Sequence, residues 1–171
     1  MKKIKVLLAF FLSCQLQAQE TNTFEVKAIE GGIGIYTDLG SDGMRGLAIN
    51  GELITGYKKN LFSLNCMTGF GLVKQNDGNH DLQAIMTIDM LYGREFQLSK
   101  VISLQPQVGV GYFANGNTSD SGNKEAIGFP VRAKLYFKTS DDFKIGINPN
   151  VNFNNVNTFY SANILLAFTF D

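Results

Sequence analysis

Histidine occurs once in this sequence, at His80, within Lys74-Gln75-Asn76-Asp77-Gly78-Asn79-His80-Asp81. Beside Asp77 and Asp81 its imidazole could serve as a general base for a serine such as Ser119 or Ser121. A solvated loop histidine would carry the same neighbours. Cys14 falls in the expected export segment, and one histidine with Cys66 alone cannot build a His/Cys metal site. Asp38, Asp42, Asp77, Asp81 and Asp120 offer oxygen ligands of the kind Ca²⁺ takes, but acids scattered in polar connectors ordinarily stay hydrated. Gly109-Val110-Gly111-Tyr112-Phe113-Ala114 imitates a dinucleotide fingerprint without the helix that should follow it. The sequence therefore predicts no catalytic, metal-binding or cofactor-binding set, and no cofactor.

Five charged residues stand out for their setting: Glu30, Glu52, Asp89, Arg132 and Lys134. Each falls in a segment where apolar residues take every second position, and each takes the other phase. Side chains alternate between the two faces of a strand, so such a segment has one greasy face and one polar face. Phe143 to Asn154 shows the pattern most cleanly. Phe143, Ile145, Ile147, Pro149, Val151 and Phe153 fall on one face, and Lys144, Gly146, Asn148, Asn150, Asn152 and Asn154 on the other. Seven further segments read the same way: 24–36, 46–57, 61–73, 82–93, 101–113, 126–138 and 159–170. In the first, Phe24-Glu25-Val26-Lys27 run out of phase with Ile29, Ile33 and Ile35. No segment has a helical period.

The connectors alternate in length. Thr37–Arg45, Lys74–Asp81 and Ala114–Glu125 are long and rich in Gly, Asn, Asp and Ser, and Asn155–Thr158 is a shorter member of that class. Lys58–Asn60, Arg94–Lys100 and Thr139–Asp142 lie at the opposite ends of the strands. Each strand is about long enough to cross a tilted membrane, which takes roughly 9–11 residues. The expected fold is all-β: an eight-stranded antiparallel up-and-down transmembrane barrel, although alternation does not by itself separate eight strands from ten.

A soluble barrel also alternates, with its apolar face inward around a ligand. Four features favour the inverse. The polar face is mostly Asn, Gln, Ser, Thr and Gly, where a watery surface would mix Lys and Glu. Glycines such as Gly69, Gly71, Gly109, Gly111 and Gly146 suit a crowded interior. Aromatic residues mark both ends of the apolar face: Tyr57, Phe62, Tyr92, Phe137, Phe143 and Phe168 at the short-connector rim, and Phe70, Tyr112, Phe129, Phe153 and Tyr160 at the other. Long connectors at one rim and short ones at the other match outer loops and periplasmic turns. The five charges then face a lumen just wide enough for side chains to fill. Counted from the loop ends, Glu52 lies as deep as Arg132, and Asp89 as deep as Lys134. The expected network joins Glu30 and Glu52 to Arg132, and Asp89 to Lys134, because a buried charge needs a partner.

The first residues carry export chemistry. Lys2, Lys3 and Lys5 precede the apolar run Val6-Leu7-Leu8-Ala9-Phe10-Phe11-Leu12, and Leu16-Gln17-Ala18 ends it on a small residue. This predicts a signal peptide over residues 1–18 and a barrel domain over 19–171. Phe11-Leu12-Ser13-Cys14 loosely resembles a lipobox, with Phe11 a poor fit at its first position. Cleavage would take Cys14 and three lysines, leaving 12 of the 15 Lys and Arg against 15 Asp and Glu. A mildly acidic chain has no electrostatic footprint for nucleic acid, and one remaining cysteine gives no disulfide framework.

With these features the chain resembles the small outer-membrane barrels, the OmpA-barrel and OmpX-like proteins, over its whole mature length. The last strand, Asn163-Ile164-Leu165-Leu166-Ala167-Phe168-Thr169-Phe170-Asp171, carries the resemblance furthest. In that family the barrel-assembly machinery reads alternating apolar residues and a terminal aromatic, here Phe168 and Phe170, with Asp171 following off pattern. No peptidoglycan-binding segment follows, so wall anchoring is not implied. The resemblance implies a Gram-negative outer-membrane protein, a monomer in contact with outer-membrane lipid, with no open solute channel and a structural or surface-interaction role in its loops. Two alternatives stand beside it: a soluble periplasmic lipocalin-like barrel around an apolar ligand, and an outer-leaflet lipid-modifying enzyme using His80.

Overall fold

The computed structural model describes residues 24–38, 44–74, 80–117 and 124–170. The expected signal segment with Cys14, and Asp42, Asp77, Ser119, Asp120 and Ser121, lie outside the described residues. The chain forms β1 (Glu25–Asp38), β2 (Arg45–Tyr57), β3 (Asn60–Lys74), β4 (His80–Arg94), β5 (Phe96–Gln97), β6 (Ile102–Asn117), β7 (Lys124–Lys138), β8 (Phe143–Phe153) and β9 (Phe159–Thr169). Every pairing is antiparallel between neighbours. The two-residue β5 resumes the line of β4 after a break at Glu95 and pairs with β6 as β4 does. β1 pairs with β9 from Ala28↔Thr169 to Asp38↔Phe159 and closes the wall. The result is a closed eight-stranded barrel. Closure removes the sheet edges that would leave backbone groups unpaired in hydrocarbon.

Several strands run past the limits that alternation suggests. β1 continues through Asp38, β2 begins at Arg45, and the β6–β7 hairpin keeps pairing out to Asn115↔Lys124, inside the stretch expected to be loop. Backbone pairing needs no apolar side chain once the strand has left the bilayer, so the hydrophobic pattern ends before the ladder does.

The wall is inverted relative to a soluble barrel. Leu47 is 70% exposed and Ile33 66%, whereas Glu52 is 4% and Lys134 0% exposed. Phe129, Ile147 and Leu166 face outward, and Arg132 faces in. This is the reverse of a lipocalin and the arrangement a bilayer requires. Cys66 also faces outward. The phase slip in the first segment has a local cause. The register of β1 against β2 shifts between Val26 and Ala28, so a bulge at Lys27 puts Phe24, Val26 and Ile29 all on the outer face.

Interior glycines make room for long side chains. A Cβ on Gly69 would sit 2.6 Å from the Tyr36 ring, and one on Gly146 would sit 2.7 Å from the Tyr136 ring. These tyrosines reach into the lumen because the residues against them have no side chain.

The β2–β3 turn is tight, with Tyr57↔Asn60 as its last pair. Lys58 has φ 57°, and it is the only non-glycine with positive φ among the described residues. A side chain in the left-handed region costs about 1–2 kcal/mol. Lys58→Gly is therefore expected to stabilise the folded barrel by about 1 kcal/mol, less the added freedom glycine gives the unfolded chain. Urea unfolding in vesicles measures it; an unchanged or lower midpoint would contradict the turn geometry.

Candidate functional site

The lumen holds the chemistry. It is built in three levels, each made by inward residues of consecutive strands. At the loop end lies an apolar plug of Tyr36, Met44, Ala48, Met67, Ile85, Phe113 and Phe159, all buried. The rings of Phe113 and Phe159 lie 5.5 Å apart. All but Met44, which precedes β2, occupy the polar phase of their strands, and that reversal was the available sign that the loop end of the lumen is greasy.

Below the plug runs a chain of charged groups. Arg132 Nη2 lies 2.6 Å from Glu52 Oε1. Lys134 Nζ lies 2.8 Å from that same oxygen and 2.7 Å from Glu30 Oε2. Neutral partners cap both ends: Arg132 Nε donates to Gln107 Oε1 at 2.6 Å, and the Tyr136 hydroxyl donates to Glu30 Oε1. Two cations thus meet two anions, with every charge nearly or wholly buried. In a lumen of low dielectric such a chain stands only when each member is satisfied.

The structure brings Glu30, Glu52, Arg132 and Lys134 together but joins neither Asp89 to Lys134 nor Glu30 to Arg132 as expected. Lys134 instead bridges the two glutamates, and Asp89 accepts from Asn65 Nδ2 at 3.1 Å and Thr87 Oγ1 at 3.0 Å. Depth counted along strands ignored position around the ring. In an eight-membered wall β7 stands opposite β2, so Arg132 and Lys134 point straight across at Glu52. Asp89 on β4 is two strands from β7, and its hydrogen-bonded neighbour in the next strand is Asn65. Gln107 and Tyr136 share the inward phase with the cations, which is the signal that could have added them.

The third level opens at the short-turn end. Ala28, Ile54 and Leu61 form one small cluster, and Tyr136, Leu165 and Ala167 another. Lys144 Nζ lies 2.9 Å from Glu95 Oε1 at this mouth. Burial pushes the Glu95 carboxyl up, but hydrogen bonds from Ser103, Lys144 and Gln105 and the Lys144 charge outweigh it and hold the group below its usual 4.5. A lowered folded value means the unfolded chain takes the proton first as pH falls. The contribution is therefore full above the unfolded value and is lost as pH drops through the folded one. Glu95→Gln is expected to narrow the stability difference between neutral and acidic buffer; an unaltered difference in unfolding midpoints would show that Glu95 carries no part of it.

The aromatic residues line the outside at two heights. Phe24 stacks on Tyr57 at 5.0 Å and touches Phe62 at 5.8 Å, and Phe62 meets Tyr92 at 5.5 Å. Phe143 and Phe168 pair at 5.2 Å on β8 and β9. Phe137 faces outward at the same rim, and Phe70, Phe129, Phe153 and Tyr160 are exposed toward the loop end, with Tyr112 half-buried. Phe24, which the out-of-phase start of β1 concealed, joins the short-turn set. His80 begins β4 opposite Lys74; its side chain lies outside the described residues. No cluster of three His, Cys, Asp or Glu suited to a metal occurs among the described residues.

A closed wall, an apolar exterior and a filled lumen can be compared with known proteins directly. No protein-family model and no curated protein matches the chain. Solved structures do. Neisserial surface protein A superposes with a TM-score of 0.66 at 10% identity, covering 88% of this chain and 100% of that one. Its fold is that of the small outer-membrane barrels. The attachment invasion locus protein of Yersinia pestis, Ail, gives a TM-score of 0.56 at 12% identity, over 85% of this chain and 100% of that one. The N-terminal barrel domain of Pseudomonas aeruginosa OprF gives 0.50 at 13%, over 86% and 100%. At these identities the likeness is one of backbone architecture, and each of these barrels is spanned end to end.

Proposed function

We propose that this chain is an integral outer-membrane barrel that conducts no solute and acts through the loops it holds outside the cell, in a structural or surface-interaction role. The observation that carries the reading is the filled lumen. The plug of Tyr36, Phe113 and Phe159 and the chain from Gln107 to Tyr136 both cross the interior where a channel would run. A rigid wall with a blocked bore leaves binding to its connectors. The apolar band between aromatic rims supports contact with outer-membrane lipid as a monomer, and no cofactor is required. Phe168 and Phe170 face outward on and just after β9, which suits recognition by the barrel-assembly machinery during insertion.

Reconstitution into planar bilayers tests the closed bore. Wild type is expected to give no steady single-channel steps, whereas a Phe113→Ala/Phe159→Ala/Arg132→Ala variant that stays folded should leak. Stable conductance by wild type would overturn the reading. Replacing the tips of the long connectors with short Gly-Ser turns is expected to leave folding intact and abolish surface binding.

A further inference from the structure

The outer wall is not uniformly bulky, and its register reveals where it is hollow. Pro106 on β6 pairs with Ala133 on β7, Pro149 on β8 pairs with Ala162 on β9, and Ala162 pairs with Ile35 on β1. Between β7 and β8 the ladder passes from Arg132↔Asn150 to Leu135↔Ile147, which sets Ala133 beside Pro149. Four small outward residues therefore line up in one row across four strands. The flanking rows are large. On the loop side Val108, Val131, Val151 and Tyr160 succeed one another in register, and on the other side Leu104, Leu135, Ile147 and Ile164 do. A low row between two ridges is a groove, an open hollow of about 600 Å³.

The groove is slanted. Ile35 and Ala162 lie near the loop ends of β1 and β9, whereas Pro106 lies near the short-turn end of β6. With strands about 4.8 Å apart, the four steps from Pro106 to Ile35 cover roughly 19 Å along the wall, a descent of about 11–14 Å for strands tilted roughly 35–45°. One leaflet of a hydrocarbon core is roughly 15 Å deep. The groove thus starts at the outer rim and ends well inside the membrane. Its rim end carries Thr37 and the exposed Tyr160. Its deep end is proline and alanine. A polar start and an apolar run match an amphiphile.

We propose that this groove seats one acyl chain of an outer-leaflet lipid, with the lipid's polar head beside Tyr160 and Thr37 and its tail running to Pro106. The assignment rests on the outward-apolar wall and is independent of what the loops bind. A second copy would have to seat its own ridge in this hollow across a two-fold axis, and such a dimer would be lost once the hollow is filled. A chain in the groove touches wall on both sides as well as below, so it leaves more slowly than a lipid lying over the flanking ridges.

Native mass spectrometry of the barrel released from vesicles of 1-palmitoyl-2-oleoyl-phosphatidylglycerol tests the seat. Wild type is expected to retain one lipid per barrel after the annular lipids are stripped. Filling the hollow with Ala133→Leu/Ala162→Leu should lower that occupancy at least tenfold, and the milder Ala133→Val should lower it in part. Ile49→Phe adds bulk to the outer wall on β2, away from the groove, and should keep the lipid. Heat-modifiable gel mobility establishes that each variant is folded; the single valine keeps the comparison open if the double leucine misfolds. A wild type that retains no lipid overturns the proposal, as does equal retention by a folded filled variant. Dimers that disappear in the filled variant would also overturn it, by assigning the groove to a second copy.

Discussion

Replacing Lys134 with methionine is expected to destabilise the barrel by about 3–5 kcal/mol, the cost of removing one partner from a buried ion pair. The stem of methionine fills much of the same space, so the loss is electrostatic. Among the described residues Lys134 is the only cation touching Glu30 and one of two touching Glu52. Without it Glu30 keeps one hydroxyl partner, Tyr136, and Glu52 keeps Arg132 alone. Glu30→Gln in the methionine background removes a charge that has lost its counterpart. The two substitutions should therefore be non-additive, the second recovering about 0.5–3 kcal/mol. Equilibrium unfolding in urea from phospholipid vesicles measures all three variants. Additive losses would mean that Lys134 and Glu30 do not interact across the lumen.

An arginine on the outer wall should cost nearly as much, but only at the right depth. Ile147→Arg puts a guanidinium mid-strand on the lipid face, where about 2–4 kcal/mol is expected, while Leu47→Arg near the loop end of β2 should cost about 0–1 kcal/mol. Both residues are well exposed, Ile147 at 49% and Leu47 at 70%. If water bathed this wall, both changes would be nearly neutral, since an arginine on a wetted sheet displaces little. Equal small effects would therefore contradict a membrane-embedded exterior.

These outcomes draw on features that the sequence exposes to different degrees. The orientation of the wall was legible because a period of two and a bilayer constrain each other: every outward position between the rims must be apolar. The identity of the luminal charges was legible for the same reason, since Glu30, Glu52, Asp89, Arg132 and Lys134 all break the composition of the inward phase without breaking its polarity. Their pairing was not. Which cation meets which anion depends on where each strand stands around the ring and on the stagger between strands, and depth along one strand carries neither. Asp89 went to Asn65 and Thr87 on that account. The bulge at Lys27 hid Phe24 from the aromatic rim, because one extra residue reverses every side chain before it. Pro106, Ala133, Pro149 and Ala162 are unremarkable within their own strands. They become a groove only when three registers align them across four strands.

The outward direction of the greasy phase decides everything above, and adjacent positions on β8 report it most directly. In a Cys66→Ser background, a nitroxide attached at Ile147→Cys should collide freely with oxygen dissolved in the bilayer and hardly at all with a water-soluble nickel chelate. At Asn148→Cys, whose native side chain is 2% exposed, the label should be shielded from bilayer oxygen. The opposite contrast, with position 148 open to the lipid-phase collider and 147 closed, would contradict the account.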